Sequence, residues 1–415
     1  MSTLAHQLVT LLFGNPDAIQ RTATDLSESG RWPQIVRLAH AWRVTPELRQ
    51  QVSARALPLD APAQRALREQ SAAAAAHATL VAHRAATALA QLAHAAVPAV
   101  AFKGIGAIAG LYRGAGQRMV SDIDVLIRSA DIERSCDALE AIGFTPTVDR
   151  LHDYIAYLDQ RPYEGAFSGN HFLVLKDADG VEIDLHWRLG TRPPPALTAE
   201  AIIARAEPAA LFGIGIHVAA PPDAIVLAAH HVLRDNFNPA TAVKDLSDIA
   251  AWWSVQPARW VIADVASHAQ RSGLAVPLFA TWIILVSFNP DSPAQAGVAH
   301  FGRICNAGER ADATRLCELF HAQLSGRRVN LDLLQLLSPT VIARFLTRRV
   351  RAQATVDYFS DRLRREMGLA PHPTLAQRAS QLLRDLTTLR PRTLGGYRAL
   401  LRVHRASQDA PERDA

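Results

Sequence analysis

Two short runs of alternating polar and apolar residues constrain this chain more than any other feature. The first run carries Asp122 and Asp124, which are separated by the apolar residue Ile123. Residues two apart in a β-strand point to the same face, so both carboxylates are predicted to project together. Because adjacent carboxylates repel each other, a divalent cation between them is the usual way to keep both ionised.

The second run, residues 181–187, carries Glu182, Asp184 and His186 at alternate positions. It follows an apolar run at residues 172–176 and a short glycine-containing turn, so the two runs predict a β-hairpin. The three polar side chains are then expected on one face of the sheet. If Asp184 lies beside the acids of the first strand, the three carboxylates form a site suited to Mg²⁺ that carries nucleotide phosphates.

A resemblance to a known family rests on four features, which are Phe102-Lys103-Gly104, Arg118, Asp122-Ile123-Asp124-Val125-Leu126 and Asp184-Leu185-His186-Trp187. In this order they resemble the nucleotidyltransferase superfamily of DNA polymerase β and, more narrowly, the bacterial family described as uncharacterised nucleotidyltransferases. The resemblance is sharp over residues 98–190 and weaker to about residue 255. The chain departs from the superfamily pattern at the turn, where Gly104-Ile105-Gly106 stands in place of the frequent Gly-Ser.

The resemblance implies an α+β fold, in which a polymerase β-like core of mixed sheet and helices lies between all-helical regions. A chain of 415 residues is long enough for two or three domains. One long alanine-rich helix, residues 61–96, is predicted to lead into the first strand at residues 97–102. The expected domains are an N-terminal helical region (1–96), the catalytic core (97–192), a helical domain closing over the core (196–300), and a C-terminal helical region with an Arg-rich end (301–415).

The clearest linker signal is the proline run at residues 193–195. Before it, residues 145–170 are predicted to form an irregular loop near the site, where loops often cover a substrate. After it, the helical period of the apolar residues predicts that the chain is helical again. The predicted helices span residues 224–232, 243–253, 258–272, 274–288, 310–324, 331–364 and 374–405.

The candidates for nucleotide binding are Lys103, Gly104, Arg118, Ser121 and Lys244. Gly104 is predicted to begin a helix, whose free N–H groups favour a phosphate; alternatively, the turn requires the backbone freedom of glycine. Lys103 either contacts a phosphate or pairs with a nearby acid. Arg118 precedes the acidic strand as a candidate phosphate ligand.

Further candidate site residues lie on the later helices and on the second strand of the hairpin. In relatives, a helical domain closes over the catalytic segment, so Lys244 and Asp248 are candidates for the cleft; solvated charges on a helix surface are the alternative. His186 or Glu182 is expected to assist a general base or to position Asp184 by a hydrogen bond. His186 is not expected to ligate the metal directly, because Mg²⁺ prefers oxygen ligands.

The predicted function is Mg²⁺-dependent nucleotidyl transfer, with Asp122, Asp124 and Asp184 holding two ions. An acceptor oxygen attacks the α-phosphorus of a nucleoside triphosphate, and pyrophosphate leaves. The acceptor is expected to be a hydroxyl or phosphate on a small molecule, a peptide or a protein. Two alternatives remain open, namely a transferase with another phosphate-linked donor such as a nucleotide sugar, and a non-catalytic nucleotide-binding or antitoxin-like module.

Composition argues against several other classes of protein. The three cysteines lack CxxC spacing, which does not support a zinc site, and their odd number argues against a disulfide framework. The N-terminus has no basic start typical of a signal peptide, and the most apolar run, residues 274–288, is too short to span a bilayer. We therefore expect a cytoplasmic protein without membrane contact. Nucleic acid is not expected as a partner, because basic and aromatic residues are not interleaved in the catalytic core.

Overall fold

The computed structural model describes residues 3–112, 114–148, 170–189, 195–255 and 259–325, together with residues 151, 155, 396, 399, 400, 402 and 403. Most of the predicted loop at 145–170 and the first two prolines of the predicted linker lie outside these residues. The predicted helix at 331–364, and nearly all of the one at 374–405, also lie outside them.

Five helices precede the sheet: α1 (Leu4–Phe13), α2 (Pro16–Glu28), α3 (Trp32–Ala41), α4 (Thr45–Ala54) and α5 (Ala61–His94). The long α5 confirms the prediction made from its alanine content. It begins at the N-cap Asp60, whose carboxylate accepts a hydrogen bond from the backbone N–H of Ala63, and a proline occupies its first turn. Both features satisfy or remove backbone donors that a helix start leaves unpaired.

A seven-stranded mixed sheet forms the centre of the fold, in the order β3-β4-β5-β2-β1-β7-β6. Its strands are β1 (Val100–Ala101), β2 (Asp122–Leu126), β3 (Thr145–Pro146), β4 (Asn170–Lys176), β5 (Glu182–Leu189), β6 (Glu207–Leu211) and β7 (Ile214–Val218). Strands β4 and β5 pair antiparallel, which confirms the predicted hairpin. Two helices connect the early strands, α6 (Lys103–Gly110) and α7 (Ile132–Glu140).

The β6–β7 hairpin corrects the expectation that the chain is helical throughout after the proline run. Strand β7 joins the sheet because it pairs in parallel with β1, with Ala101 opposite Val218. The period-two alternation of Ile214, Ile216 and Val218, directly after a glycine, is the signal that predicts a strand here. The central sheet therefore includes a segment from beyond the predicted core boundary.

Helices make up the rest of the described chain. They are α8 (Ala199–Arg205), α9 (Pro221–Arg234), α10 (Pro239–Ser254), α11 (Ile262–Arg271), α12 (Ala275–Phe288), α13 (Ala294–Ile304) and α14 (Ala307–Leu324). The predictions at 224–232, 243–253, 258–272, 274–288 and 310–324 are confirmed, whereas α13 was not predicted. None of the helices in the described ranges combines the length and the apolar character that crossing a membrane requires.

Two hydrophobic cores hold these layers together. One face of the sheet packs on α5 and α7, and Ile123, Val125, Ile183 and Leu185 lie fully buried in this core. The other core joins α1–α4 with the helices that follow the sheet. Asp122 and Asp124 alternate with the residues that face α5, so the acidic face of β2 is directed toward the later helices.

Glu47, in α4, is a carboxylic acid withdrawn from solvent. Both of its carboxylate oxygens are buried and lack a hydrogen-bond partner within the described residues. Burial raises the pKa of Glu47 to about 8, although the nearby charge of Arg118 acts in the opposite direction. The folded protein therefore holds this proton more tightly than the unfolded chain does.

We expect the free energy of unfolding to depend on pH through Glu47. The stabilisation that follows from the raised pKa of Glu47 is complete below the ordinary pKa of 4.5, where the carboxyl group is protonated in both states. It is lost as the pH rises through about 8. Glu47→Gln should therefore stabilise the protein by on the order of 3 kcal/mol at pH 8 and by little at pH 4.5. Urea unfolding at both pH values measures this difference. Glu69→Gln, on the exposed face of α5, controls for the loss of one negative charge, and an equal effect of Glu47→Gln at both pH values would contradict the expectation.

Candidate active site

The parallel pairing of β2 with β5 assembles the acidic residues. In this register Asp122 lies opposite Glu182, Asp124 opposite Asp184, and Leu126 opposite His186. Because neighbours in register point to the same face of a sheet, the carboxylates of Asp124 and Asp184 lie side by side. The expected convergence of acids from two strands is therefore present for this pair.

Asp124 is a buried, ionised carboxylate with two partners. Only 3% of the residue is exposed, its Oδ1 forms an ion pair with Lys103 Nζ, and the same oxygen lies 3.0 Å from His186 Nε2. Burial alone would raise the pKa of Asp124, but the charge of Lys103 and the hydrogen bond from His186 outweigh it and hold the pKa well below the usual range. Asp124 is thus negatively charged at neutral pH.

The pKa of Asp184 is shifted in the opposite direction from that of Asp124. Burial, together with the negative charges of Asp124 and Asp122, raises the pKa of Asp184 to about 7. The charge of Lys103 offsets only part of this effect. A second negative charge beside Asp124 is therefore unfavourable unless a cation accompanies it.

Asp122 lies at the start of β2 and is half-buried. Its Oδ1 accepts a hydrogen bond of 3.0 Å from the hydroxyl of Ser121, and Ser121 Oγ in turn accepts one of 2.8 Å from the guanidinium group of Arg43. Arg43 follows α3, in the N-terminal helical region, and its φ of 60° lies in the left-handed region. A residue far upstream in the sequence thus reaches the edge of the site.

His186 is fixed between two aromatic rings. The ring centroids of Phe102 and Phe172 lie 5.1 Å and 5.0 Å from that of His186, and only 1% of His186 is exposed. Burial and the charge of Lys103 lower the pKa of His186 to about 4. The neutral ring donates through Nε2 to Asp124, which leaves Nδ1 unprotonated. The hydrogen bond expected from His186 to Asp184 is made to Asp124 instead.

Three of these side chains are close enough to share one metal ion. Within the described part of the chain, ligand atoms of Asp124, Asp184 and His186 all lie within 4.8 Å of one another. Asp122 is not part of this group. Carboxylates are donors that divalent cations accept in proteins, so Asp124 and Asp184 fit such an ion, whereas His186 already donates through Nε2 to Asp124. The repulsion between the carboxylates of Asp124 and Asp184 also favours a bound cation.

The start of α6 brings Lys103 to Asp124. Phe102 N–H donates to the backbone carbonyl of Asp124 at 3.2 Å, and Lys103, with φ 49°, then turns the chain into the helix. The left-handed conformation thus falls on Lys103 and not on Gly104. Gly104 is required for another reason, because a Cβ atom there would lie 2.7 Å from Val120 Cγ1. Of the two predicted roles of Lys103, the structure contains the ion pair with an acid.

Arg118, a predicted phosphate ligand, is buried in an ion pair with Asp248 of α10. Its Nε and Nη2 donate to the Asp248 carboxylate at 2.7–3.2 Å, and its Nη1 donates to the Met119 carbonyl at 2.5 Å. Tyr112 donates to the same carboxylate at 2.8 Å. All three guanidinium nitrogens are therefore occupied by the protein. Nη1 and Nη2 each keep a second N–H, but only 4% of Arg118 is exposed, so the side chain is largely withdrawn from an incoming phosphate.

Lys244 and its neighbour Asp245 lie on the same helix, α10. Lys244 Nζ is 3.8 Å from Asp245 Oδ1, and His231 Nδ1 of α9 is 2.8 Å from Asp245 Oδ2. A small cavity separates these helices from α6, and its wall includes Lys103, His231, Asp245 and Asp248. The expectation that Asp248 faces the catalytic segment is consistent with this wall. Lys244 itself is not among the residues that line this cavity.

Comparison with known proteins identifies the class of enzyme. The sequence profile of the family described as uncharacterised nucleotidyltransferase matches residues 28–288, which is more than half of the chain. The chain belongs to this family and is a nucleotidyltransferase, a transferase of phosphorus-containing groups. A search of curated proteins gives no significant match. The matched region includes the sheet, the acidic cluster and the helices α9–α12.

Several residues near the site were not candidates from the sequence. Arg43, Glu47 and Tyr112 lack any motif. Their positions depend on contacts between distant segments, which local patterns do not report.

The Arg118–Asp248 pair predicts a large effect on stability. Arg118→Met should destabilise the protein by about 3–5 kcal/mol, because it leaves the buried Asp248 carboxylate without its counter-charge. Adding Asp248→Asn, which still accepts from Tyr112, should recover much of this loss. Urea unfolding of the two single variants and the double variant forms the test. If the double variant were no more stable than Arg118→Met, the pair would not be the reason for the loss.

Proposed function

We propose that this nucleotidyltransferase is metal-dependent and transfers a nucleoside monophosphate from a nucleoside triphosphate to an acceptor. The observation that carries the proposal is the parallel register that sets Asp124 beside Asp184. Two carboxylates held together on one face, with Asp122 at the end of the same strand, match the needs of phosphoryl chemistry. We also propose the bacterial, polymerase β-like assignment, on the motif order alone.

Asp122, Asp124 and Asp184 are the proposed ligands of Mg²⁺, with two ions in the working enzyme. When bound, the metal supplies charge neutralisation for the reacting phosphate and for the leaving pyrophosphate. Lys103 and His186 hold Asp124 ionised and fixed in position. Asp184 takes the proton of the acceptor hydroxyl as its oxygen attacks the α-phosphorus.

Phosphate binding is proposed for the start of α6 and its surroundings. The N–H groups of a helix start favour a phosphate, the ammonium group of Lys103 lies against Asp124, and the hydroxyl of Ser121 donates to Asp122. We propose that Arg118 and Lys244 also contribute to phosphate binding. The ion pair of Arg118 with Asp248 in addition holds α10 against the core.

The acceptor is proposed to be a hydroxyl or phosphate group on a small molecule, a peptide or a protein, and the location to be cytoplasmic. Nucleic acid is not the proposed acceptor, because basic and aromatic residues are not interleaved in the sequence of the core. The helices from 196–300 are proposed to close over residues 97–192.

A thermal-shift panel tests the proposal. We expect the wild-type protein to be stabilised by one of ATP, GTP, CTP or UTP only when Mg²⁺ is present. Asp122→Asn and Asp184→Asn should abolish that shift, while Asp184→Asn should raise the midpoint without metal because it removes repulsion from Asp124. Asp264→Asn, an exposed acid of α11, should behave like wild type.

Other results of the panel would point to the alternatives. Unchanged metal-dependent shifts in both site variants would exclude this metal site. A product whose mass corresponds to sugar transfer, obtained with a nucleotide sugar, would identify a different phosphate-linked donor. Calorimetric nucleotide binding that is independent of Mg²⁺, with no product from any acceptor, would identify a non-catalytic binding module.

A further inference from the structure

The three cations that the sequence nominates for phosphate binding are each paired with an acid of the protein. These pairs are Lys103 with Asp124, Arg118 with Asp248, and Lys244 with Asp245. When such a cation turns to a ligand, it leaves a buried carboxylate without its counter-charge, which is unfavourable. A cation that lies at the acids without compensating a protein carboxylate is therefore better suited to an incoming phosphate.

Arg43 is such a cation. It lies directly after α3, two residues before the start of α4, and it is exposed. Its Nη1 donates a hydrogen bond of 2.8 Å to Ser121 Oγ, and no carboxylate of the described residues forms an ion pair with it. A guanidinium group carries five N–H donors, so most of the donors of Arg43 are not used by the described part of the chain.

The hydrogen bonds of Ser121 connect Arg43 with Asp122. Because arginine can only donate, Ser121 Oγ accepts from Arg43, and its single hydrogen is donated to Asp122 Oδ1 at 3.0 Å. The guanidinium group thus lies two hydrogen-bond lengths from a carboxylate that is a proposed metal ligand. Asp122 begins β2 and is two residues before Asp124, so Arg43 is placed at one end of the acidic cluster.

The serine between the two charges is informative. A direct ion pair with Arg43 would occupy the oxygens of Asp122 and compete with a metal ion for them. The hydroxyl of Ser121 takes that contact instead, so the carboxylate can still ligate a cation and the guanidinium group can still bind an anion. A positive charge so close to a metal ligand disfavours a bare metal ion, whereas it favours an ion that arrives with phosphate.

The backbone of Arg43 is in a conformation that usually requires glycine. Its φ of 60° is left-handed, and it ends α3 in a Schellman motif, in which Arg43 N–H donates to the His40 carbonyl and Val44 N–H to the Ala39 carbonyl. A Cβ atom makes this conformation unfavourable, and such residues cluster at functional sites. Val44 and Thr45 are fully buried, so the chain that carries Arg43 is held in place.

We propose that Arg43 binds a phosphate group of the metal-bound nucleotide at the Asp122 end of the acidic cluster, and this inference rests on the proposed function. Its guanidinium group offers paired donors that match two phosphate oxygens, and its exposure leaves it open to an entering ligand. The helices before the sheet thereby contribute a substrate-binding residue to the catalytic core.

Calorimetry with the full-length protein tests this inference. The probes are Mg²⁺ alone, and inorganic tripolyphosphate, ATP, GTP, CTP and UTP, each with excess Mg²⁺. We expect Arg43→Gln to weaken binding of tripolyphosphate and of the tightest-binding nucleotide about tenfold, and to leave Mg²⁺ binding within about twofold of wild type. Arg43→Lys should restore part of the loss, because it keeps the charge but not the paired donors. Arg37→Gln, which removes an exposed arginine of α3, should bind every probe like wild type.

Arg43→Gly separates binding from folding. Glycine adopts the left-handed conformation without strain, so the thermal unfolding midpoint of this variant without ligand should be no lower than that of wild type. Its affinity for tripolyphosphate and for the nucleotide should nevertheless fall as far as that of Arg43→Gln.

Two results with Arg43→Gln would overturn the inference. One is wild-type affinity for the nucleotide. The other is an equal weakening of Mg²⁺ alone and of the nucleotide, because Arg43 would then act only by orienting Asp122 through Ser121. Both results leave the proposed function in place. Wild-type protein without any Mg²⁺-dependent nucleotide binding would overturn the proposed function, and this inference with it.

Discussion

The ionised carboxylate of Asp124 is the charge around which this molecule is arranged. It lies almost out of contact with solvent, where an unpaired charge would be very costly. Lys103 and His186 compensate this charge. The left-handed turn at the start of α6 positions the lysine, and the rings of Phe102 and Phe172 position the histidine. Helix, strand and aromatic packing therefore depend on one another through a single side chain.

A second buried charge connects regions that the sequence suggested were separate. Arg118 precedes β2, Asp248 belongs to α10, and the nearby Glu47 belongs to α4. This cluster joins the early helices, the core and the later helices at one point. The family match to residues 28–288 spans all three regions, which agrees with a catalytic unit larger than the sheet itself. Helices on both sides of the core are part of the enzyme.

The distribution of paired charges also bears on how such an enzyme binds phosphate. Lys103 and Arg118 are each paired with a buried carboxylate, so both cations compensate charges of the protein itself. Backbone N–H groups at the start of α6 carry no such commitment to a carboxylate, and a helix N-terminus favours a phosphate.

The sequence by itself determined which face of each strand is acidic, the extent of α5 and the β4–β5 hairpin. Each follows from a period of two or from residue propensities, and these are properties of neighbouring residues. Only the tertiary structure decided that β2 and β5 pair in parallel, that β7 joins β1, and that Arg118 pairs with Asp248. These contacts join segments far apart in the chain, and their register is set by the burial of whole faces and by the compensation of buried charge, which no local pattern encodes.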